Sequence, residues 1–393
     1  MKTALHDEFA QYRRPDTALW TPGPHALTPA VERTIRSYRA ICSHRSNDFK
    51  SLYTQAAALL REAFHAPEAC TPLIFGHTGS YDWEMVAVNT PPDFRAVGLD
   101  MGAFSARWAE VFVRHGRAVD VLRVPWGHGI ESEGWHTALR RGYDVALLTH
   151  NETATGVMLP VDDLCRDARR QSPEMLIAID GVSIAGAVKV DIGSMRPDYY
   201  LWSLQKDFAI PAVGSVMIVS DRALEAAGNV AKRGYVLDLI EWHVRAADAQ
   251  TPVTVSDLML RCLVARLEEM LDEGEARFRR HRDLARMQRD WAAKHGLGLL
   301  AQPEFYSPTV TTILMPDAIP ATEFVHAAKT MLNVQIAPGY GPMRNTAIRI
   351  AAMGSTSESE MERFLAGLSL VFSNWTADRR GSRRGGGVTS TRP

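Results

Sequence analysis

The sequence predicts an α/β fold, with a mostly parallel sheet in its larger part and a smaller α+β unit towards the carboxyl terminus. Seven apolar runs of strand length, rich in β-branched and aromatic residues, alternate with amphipathic segments of helical length. This alternation is typical of a parallel sheet covered by helices on both faces, where ligands collect at the carboxyl ends of the strands. The seven runs are 71–76, 95–100, 118–124, 144–150, 175–180, 198–203 and 214–220.

Composition excludes several classes of protein. The 393 residues carry 44 Lys and Arg against 45 Asp and Glu, a net charge of −1 without the basic excess of a nucleic-acid or anionic-membrane surface. The four cysteines lie far apart and form neither a metal-binding nor a redox motif. The amino terminus has no apolar stretch of signal-peptide length, and no window is long and apolar enough for a membrane span. We therefore expect a soluble, cytoplasmic protein with no nucleic acid, membrane or metal partner.

Helices flank the predicted sheet. Thr28 followed by Pro29 predicts one helix start, and a second helix begins near Ser46. A charged helical region runs from Val255 to Lys294. The smaller unit follows, with strands predicted at 307–315, 333–337 and 346–353, a helix at 321–332, and a last helix capped near Ser357, with Glu360 three residues on.

These patterns divide the chain into four parts. Residues 1–27 form an amino-terminal segment that we expect to pack with the smaller domain, and residues 28–270 form the large domain. Residues 271–377 form the small domain. The Gly- and Arg-rich stretch 378–393 has no apolar face, so we expect it to be disordered, although its arginines could also meet an acidic partner.

Two residues that follow neighbouring strands suggest a cofactor. Asp180 closes the run 175–180, and Lys206 comes 26 positions later, just after the run 198–203. Taken alone, such an Asp often caps a loop, and such a Lys is usually an exposed surface residue. Together they match what pyridoxal 5′-phosphate (PLP) requires, which is a lysine that forms a Schiff base and a carboxylate that keeps the pyridine nitrogen protonated.

Further residues at strand ends fit the same hypothesis. Thr78, Gly79 and Ser80 follow the run 71–76 and precede a helix, where hydroxyl and backbone N–H groups can hold a phosphate. Thr153 follows the run 144–150, and its hydroxyl could meet the ring oxygen of the cofactor. Phe104 could lie against the pyridine ring, although a lone Phe is more often part of a core.

Arg349 is a charged residue within the apolar run TAIRIAAM. A buried charge is costly unless it is paired, and a guanidinium binds a carboxylate through two parallel hydrogen bonds. Arg349 is therefore a candidate for binding a carboxylate substrate. A structural ion pair remains the alternative.

Taken in order, these motifs resemble the class V aminotransferases of the fold-type I PLP enzymes, the group that contains alanine–glyoxylate, serine–pyruvate and phosphoserine aminotransferases. The resemblance covers about 350 residues. Its motifs are Thr21-Pro22-Gly23-Pro24, Ser43-His44-Arg45-Ser46, Gly79-Ser80, Gly102-Ala103-Phe104, Asn151-Glu152-Thr153-Ala154-Thr155-Gly156, Asp180-Gly181-Val182-Ser183, Ser203-Leu204-Gln205-Lys206, Gln250-Thr251-Pro252, Ser307-Pro308-Thr309-Val310-Thr311, Gly339-Tyr340-Gly341 and Arg349-Ile350.

The resemblance implies a fold-type I PLP-dependent transferase with a seven-stranded sheet in the large domain. Lys206 would hold the cofactor as an internal aldimine and move the proton, and Asp180 would pair with the pyridine nitrogen. Arg349 would bind the substrate carboxylate, with His44, Arg45 and Gly23 lining the substrate pocket. The family also implies a homodimer with shared active sites. The other cofactor-binding residues would be Thr78, Gly79, Ser80, Phe104, Thr153, Ser183, Gln205 and, from the second subunit, Thr251.

Three departures from the family pattern concern the substrate. Ala351-Ala352-Met353-Gly354 stands where relatives commonly have Gly-His-Met-Gly, and Asp207 directly follows the lysine where a small neutral residue is common. Ser80-Tyr81-Asp82-Trp83 is bulkier and more acidic than usual in a phosphate cup.

The resemblance leads to three hypotheses about function. The first is an aminotransferase that moves the amino group of alanine or serine to glyoxylate or pyruvate by a ping-pong mechanism. The second is a phosphoserine aminotransferase that uses 2-oxoglutarate and glutamate, since His44, Arg45 and His77 could bind a phosphate. The third is a repurposed biosynthetic PLP enzyme, or a lyase such as a cysteine desulfurase, which would need a cysteine on a mobile loop.

Overall fold

The computed structural model describes residues 9–384, with side chains described as far as Trp375. The strands are β1 (Ala18–Leu19), β2 (Cys70–Phe75), β3 (Arg95–Asp100), β4 (Ala118–Arg123), β5 (Val145–Thr149), β6 (Asn151–Glu152), β7 (Val157–Met158), β8 (Leu176–Asp180), β9 (Tyr199–Ser203), β10 (Ser215–Ser220), β11 (Val310–Leu314), β12 (Val334–Gln335), β13 (Ala337–Pro338) and β14 (Ala347–Ala351).

The α-helices alternate with these strands in the first two thirds of the chain. They are α1 (Pro29–Ser37), α2 (Asn47–Ala63), α3 (Gly79–Asn89), α4 (Ala103–Arg114), α5 (Ser132–Leu139), α6 (Val161–Gln171), α7 (Ile192–Met195), α8 (Asp221–Gly228), α9 (Leu239–Ala247), α10 (Asp257–Glu273), α11 (Glu275–Lys294), α12 (Ala321–Leu332) and α13 (Glu358–Arg384).

A seven-stranded sheet forms the centre of the larger part, with the strand order β2-β10-β9-β8-β5-β3-β4. Strand β10 is antiparallel to both of its neighbours, whereas β9, β8, β5, β3 and β4 pair in parallel. Strands β5, β8 and β9 are buried along their whole length, as expected for strands covered on both faces. The predicted α/β fold with a mostly parallel sheet is confirmed.

Side-chain caps fix the ends of several helices. The Thr28 hydroxyl accepts the N–H of Val31 at the start of α1, where Pro29 occupies the first turn. The Ser46 hydroxyl accepts the N–H of Phe49 in α2. Such caps satisfy backbone donors that have no partner inside the helix, so these helices begin where the sequence predicts.

A second hydrophobic core lies outside the seven-stranded sheet. It is built on the antiparallel sheet β11-β14-β13 and on helices α11, α12 and α13. The amino-terminal segment contributes to this core, because Trp20 stacks on Phe364 with 4.2 Å between ring centroids. Strand β1 also pairs in parallel with β12. Residues from the two ends of the chain are therefore packed together.

The predicted continuous helical region Val255–Lys294 is two helices. Gly274 separates α10 from α11 with φ +54°, and its N–H donates to the Met270 carbonyl. Only glycine adopts this conformation readily, and it is frequent where helices end. Leu267 of α10 packs in the core of the seven-stranded sheet, whereas Leu284 of α11 packs in the second core.

The disorder expected for 378–393 stays a prediction. The backbone of α13 is described as far as Arg384. The remaining residues, 385–393, lie outside the described part of the chain. Although α13 has 27 residues, neither it nor any other described helix combines the length and apolar composition needed to cross a bilayer.

Candidate active site

Most of the predicted site residues lie at one edge of the central sheet. Asp180 is the last residue of β8, Lys206 comes three residues after β9, and Thr153 comes four residues after β5. The turn with Thr78 follows β2, and Phe104 follows β3. The parallel direction of these strands brings residues that are far apart in sequence to a common edge.

Lys206 lies between the two parts of the molecule. Its Nζ donates to the carbonyl of Pro22 at 2.5 Å, and a Cβ at Gly23 would lie 2.8 Å from that Nζ. Gly23 has φ +101°, a conformation that also favours glycine. Loss of water around the amino group, together with the positive charge of Arg349, lowers the pKa of Lys206 to about 8, although Asp180 opposes this shift. The neutral amine, which is the nucleophilic form, is therefore accessible near neutral pH.

Asp180 is buried and accepts two hydrogen bonds. Its Oδ1 accepts the N–H of Val182 at 2.7 Å, and its Oδ2 accepts the indole N–H of Trp83 at 3.1 Å. Burial raises the pKa of Asp180 to about 7, and the nearby Glu152 adds to this increase, whereas the two donors and Lys206 oppose it. A cation placed against this carboxyl group would favour its ionised form.

The turn after β2 leaves polar groups free for a ligand. Thr78 is the N-cap residue of α3, but its hydroxyl makes no capping bond, and Ser80 is exposed. The N–H of Gly79 donates to the Ser203 hydroxyl at 2.5 Å, and a Cβ at Gly79 would lie 2.7 Å from that oxygen. The Oε1 of Gln205 is buried without a partner among the described residues. Free hydroxyl, amide and backbone groups at a helix start suit a phosphate.

A buried polar cluster lies beside this turn. The Asp82 Oδ1 accepts the Ser215 hydroxyl at 2.9 Å, and the His77 Nδ1 lies 3.4 Å from the same oxygen. Burial lowers the pKa of His77 to about 4, and it raises the pKa of Asp82 well above its ordinary value, with Asp180 adding to the rise. Burial therefore favours the neutral form of each group. The acidic character of this segment was apparent in the sequence, but its contact with Ser215, far along the chain, was not.

Thr153 and Ser183 lie next to each other between β5 and β8. The Thr153 hydroxyl donates to the Ser183 Oγ at 2.9 Å, and the Asn151 side chain donates to the same oxygen at 2.7 Å. The Ser183 hydroxyl in turn donates to the Asn151 carbonyl. The backbone carbonyl of Thr153 accepts a hydrogen bond from Arg349 at 3.2 Å, which joins this group to the small sheet.

Glu152 is a residue of the site that the sequence analysis did not single out. Its buried carboxylate accepts the N–H groups of Phe104, Ser105 and Ala154 at 3.1, 2.8 and 2.9 Å. It therefore caps α4 from another strand and fixes the position of Phe104. Glu152 belongs to the quoted Asn-Glu-Thr motif, but a contact between residues 48 positions apart has no local sequence signal.

Arg349 is 8% exposed and lies on β14. Its Nε donates to the Pro338 carbonyl at 3.0 Å, and its guanidinium lies 5.4 Å from the centroid of the Tyr340 ring. Burial lowers the pKa of Arg349 to about 10. Within the described part of the chain, no ion pair with a carboxylate satisfies this charge. The alternative of a structural ion pair is therefore not supported.

Tyr340 joins Arg349 to the residues around Phe104. The Tyr340 and Phe104 rings are 5.2 Å apart, and the Tyr340 hydroxyl accepts a hydrogen bond from Arg107 at 2.7 Å. The exposed Arg107 guanidinium also lies 5.4 Å from the Phe104 ring centroid. The guanidinium groups of Arg107 and Arg349 therefore both lie close to the Tyr340 ring. Tyr340 belongs to the motif Gly339-Tyr340-Gly341, but no sequence signal predicted its role or that of Arg107.

His44, Arg45 and Thr251 form a separate cluster. Arg45 donates to the Gln250 side chain at 3.0 Å and to the Thr251 carbonyl at 2.9 Å. The Thr251 hydroxyl donates to the Val253 carbonyl. Among the hydrogen bonds of the described residues, none joins this cluster to Lys206. Within one chain Gly23 therefore contacts Lys206, whereas the hydrogen bonds of Arg45 and Thr251 run to other residues.

Comparisons with known proteins identify the family of this chain. The model of the family "Aminotransferase class-V" matches residues 21–254. An L-aspartate–glyoxylate aminotransferase from Paracoccus denitrificans is 27% identical over 87% of both chains, and a serine–glyoxylate aminotransferase from Methylorubrum extorquens is 28% identical over 92% of both chains. The crystal structure of an aspartate aminotransferase from Thermus thermophilus superposes with a TM-score of 0.84 at 26% identity, covering 91% of this chain and 99% of that one. The chain belongs to the class V aminotransferase family and is a PLP-dependent transaminase.

Proposed function

We propose that this aminotransferase moves the amino group of a small amino acid, alanine or serine, to glyoxylate or pyruvate in a ping-pong cycle. The relatives named as serine–glyoxylate and aspartate–glyoxylate aminotransferases support glyoxylate as an acceptor. The observation that carries the proposal is Arg349, a buried cation that lacks a carboxylate partner among the described residues and is close enough to Lys206 to lower its pKa. A substrate carboxylate on Arg349 places the neighbouring α-carbon beside Lys206.

The residues present fit PLP. The Asp180 carboxyl group can face a protonated ring nitrogen, and the Phe104 ring is available for stacking. The hydroxyls of Thr78 and Ser80, with the unpartnered amide oxygen of Gln205 nearby, surround a helix start that suits the phosphate. We therefore infer that these residues, with Gly79, Thr153, Ser183 and Lys206, hold the cofactor. When bound, PLP supplies an electron sink for the electron pair released at the α-carbon.

Each residue near the substrate then has a defined task. Arg349 binds the α-carboxylate in a bidentate manner and orients the amino acid. Lys206, with its lowered pKa, removes the proton from the α-carbon in its neutral form and returns it during the second half of the cycle. The Pro22 carbonyl holds the Lys206 amino group in place between these events. Tyr340 packs against Arg349 and limits its movement.

The site is proposed to be completed by a second copy of the chain. Among the described residues, no hydrogen bond joins Arg45 or Thr251 to Lys206, and a homodimer would bring His44, Arg45 and Thr251 of one copy to the cofactor of the other. Exposed apolar side chains around this cluster support the proposal, since Ile41 is 83% exposed and Tyr235 is 62% exposed. Tyr235 contacts the cluster through a hydrogen bond from its hydroxyl to the Pro252 carbonyl.

An acidic donor is a second candidate. Arg107 places an exposed guanidinium beside Tyr340, close to Arg349, so a dicarboxylic amino acid could meet one arginine with each carboxylate. A relative named as an L-aspartate–glyoxylate aminotransferase is consistent with this idea. A cysteine desulfurase is less well supported, because Cys70, Cys165 and Cys262 are buried, and burial together with Asp257 raises the pKa of the partly buried Cys42 thiol, which disfavours the nucleophilic thiolate.

A donor panel tests the proposal. Purified protein with PLP is given alanine, serine, aspartate or phosphoserine, with glyoxylate as acceptor, and product formation is measured. Alanine or serine should give the highest kcat/KM. Arg349→Ala should lower kcat/KM for every amino acid by about 100-fold, because a buried charge pair is lost, while the visible absorption of bound PLP stays unchanged.

Arg344→Ala is the matched control, since Arg344 is an exposed arginine of the same segment and should be dispensable. A preference for aspartate or phosphoserine would replace the proposed donor. Wild-type turnover by Arg349→Ala would remove Arg349 from the site.

A further inference from the structure

Asp207 directly follows Lys206 and is completely buried between the two cores. Its Oδ1 accepts the N–H of Gly354 at 3.0 Å and lies 3.2 Å from the Nε2 of His281. His281 belongs to α11, and Gly354 follows β14, five residues after Arg349. One carboxylate therefore connects the backbone next to Lys206 with the segment that carries Arg349.

The two ring nitrogens of His281 face different partners. Its Nδ1 lies 3.1 Å from the Ala352 carbonyl, which can only accept a hydrogen bond, so Nδ1 carries a proton. Its Nε2 lies 3.2 Å from the Asp207 Oδ1, so the ring is in close polar contact with this carboxyl group. Asp207 and His281 thus hold the turn after β14 at both Ala352 and Gly354.

The surrounding residues leave this contact little freedom. A Cβ at Gly186 would lie 2.6 Å from the Asp207 Oδ2, and a Cβ at Gly354 would lie 3.1 Å from the Cβ of Ala209. The fully buried Arg266 donates to the Asp207 backbone carbonyl at 3.2 Å. The absence of a side chain at Gly186 therefore leaves room for the Asp207 carboxylate on the side of its Oδ2.

Stability alone does not explain such a group. Burying charged groups is costly, and apolar residues of similar volume often stabilise a fold as well or better. What an apolar side chain could not provide is a directional bond between two segments whose relative position matters for the reaction. A displacement of about 1 Å between reacting groups can lower a rate by about 100-fold.

We propose that Asp207, acting with His281, is a positioning residue that fixes the distance between the Lys206 and Arg349 side chains across the two cores. This inference rests on the proposed function in so far as it assigns Lys206 and Arg349 to the reaction. The contact itself does not depend on that function. Both ends of the contact depart from the family pattern. Asp207 is the acidic residue after the lysine, and Ala352 belongs to the alanine pair that follows Arg349.

Hydrogen exchange of the cofactor-free protein tests the contact directly. In Asp207→Ala, the amide of Gly354 should exchange at least about 10-fold faster, because its hydrogen bond to a charged partner is lost. Asp207→Asn keeps an oxygen that can accept this N–H, so it should restore most of the protection. The same exchange data for His281→Gln should show faster exchange around Ala352 and Gly354.

Steady-state kinetics with the PLP-loaded protein test the consequence. Asp207→Ala should raise KM for the amino donor by about 10-fold with a smaller effect on kcat, while PLP affinity remains that of the wild type. Asp207→Asn should recover most of the loss. This pattern differs from that of a purely structural residue, which would affect the fraction of active protein and leave KM unchanged.

Asp198 provides a matched control. It is equally buried, accepts the N–H of Ile177 at 2.8 Å, and pairs with Arg169 rather than with the active-site segments. Asp198→Ala should lower the free energy of unfolding without changing Gly354 exchange or KM.

Wild-type Gly354 exchange in Asp207→Ala, or kinetics that match those of Asp198→Ala, would overturn the proposal. If Asp207→Ala does not fold, wild-type exchange and KM in both Asp207→Asn and His281→Gln would overturn it instead. Absence of turnover with every donor would contradict the proposed function, and the exchange experiment would still decide whether the contact exists.

Discussion

Asp180 shows how one buried side chain can prepare a site for a cation. Both of its carboxylate oxygens accept hydrogen bonds from fixed donors, Val182 and Trp83, yet burial still raises its pKa to about 7. In the cofactor-free protein the folded state therefore binds a proton that the unfolded chain releases near its ordinary pKa. As the pH rises from about 4 to 7, the contribution of Asp180 to stability must fall.

Asp180→Asn should remove this pH dependence. Asparagine has one acceptor oxygen for two donors, so the variant carries a constant cost, but it does not titrate. The free energy of unfolding of the variant, relative to the wild type, should therefore increase between about pH 4 and pH 7. Each unit of pKa difference corresponds to about 1.4 kcal/mol.

Urea unfolding of the two cofactor-free proteins across this pH range measures the effect. The exposed residue Asp317 provides a control, because Asp317→Asn should run parallel to the wild type. Parallel curves for Asp180→Asn would show that Asp180 does not titrate in this range.

The site residues that could be predicted from the sequence are those at or just after the end of a strand. Asp180, Lys206 and Thr153 follow parallel strands, so topology alone brings them to one edge. Glu152 and Trp83 were missed because their roles depend on contacts with distant residues, which no periodicity reveals.

Helix α13 begins with a reciprocal cap that joins two residues of one turn. The Ser357 Oγ accepts the N–H of Glu360, and the Glu360 Oε2 accepts the N–H of Ser357 at 3.0 Å. This is the capping box that the sequence predicted. Phe364 and Leu368 then anchor the helix in the second core.

Ser357→Ala should lower the free energy of unfolding by about 1 kcal/mol, because α13 loses a side-chain acceptor at its start. Chemical denaturation measures this change. Thr330→Ala is a suitable control, since it removes an exposed hydroxyl from α12 in the same core and should change stability by less than about 0.5 kcal/mol. An equal effect of the two substitutions would contradict the importance of the cap.

The elements of the central sheet were predictable because buried parallel strands are short, apolar and separated by helices. Each of the seven strands lies within one residue of its predicted run. The break at Gly274 was not predicted, because apolar residues keep helical spacing on both sides of it.

The whole molecule combines two cores with an active site between them. Lys206 comes from the sheet of the first core, and Arg349 from the sheet of the second. The proposed second copy adds a third source of residues at the cluster of Arg45 and Thr251. The sequence could predict that these parts exist, but not how the side chains of one part meet those of another.

Sedimentation should give a mass of twice the 43.5 kDa of one chain. Tyr235→Glu should weaken the dimer, because a charge would be buried at the proposed interface, and the sample should then contain single chains at low concentration. Val121 is 42% exposed on the edge strand β4, at the opposite side of the sheet from β2, so Val121→Glu should remain dimeric. A wild-type protein with the mass of one chain would contradict the shared site.

The pairing of β1 with β12 has a consequence for the synthesis of the protein. Thr17 bonds to Asn333, 316 positions away, and the Pro22 carbonyl that holds Lys206 lies only a few residues after β1. A growing chain emerges from the ribosome with its amino-terminal segment first, but that segment finds its strand partner only when residues 334 and 335 have been made. The seven-stranded sheet can assemble much earlier, because β10 ends at Ser220. The strands that carry the cofactor-binding edge are thus complete before the partner of β1, which the substrate side of the site requires, has been synthesised.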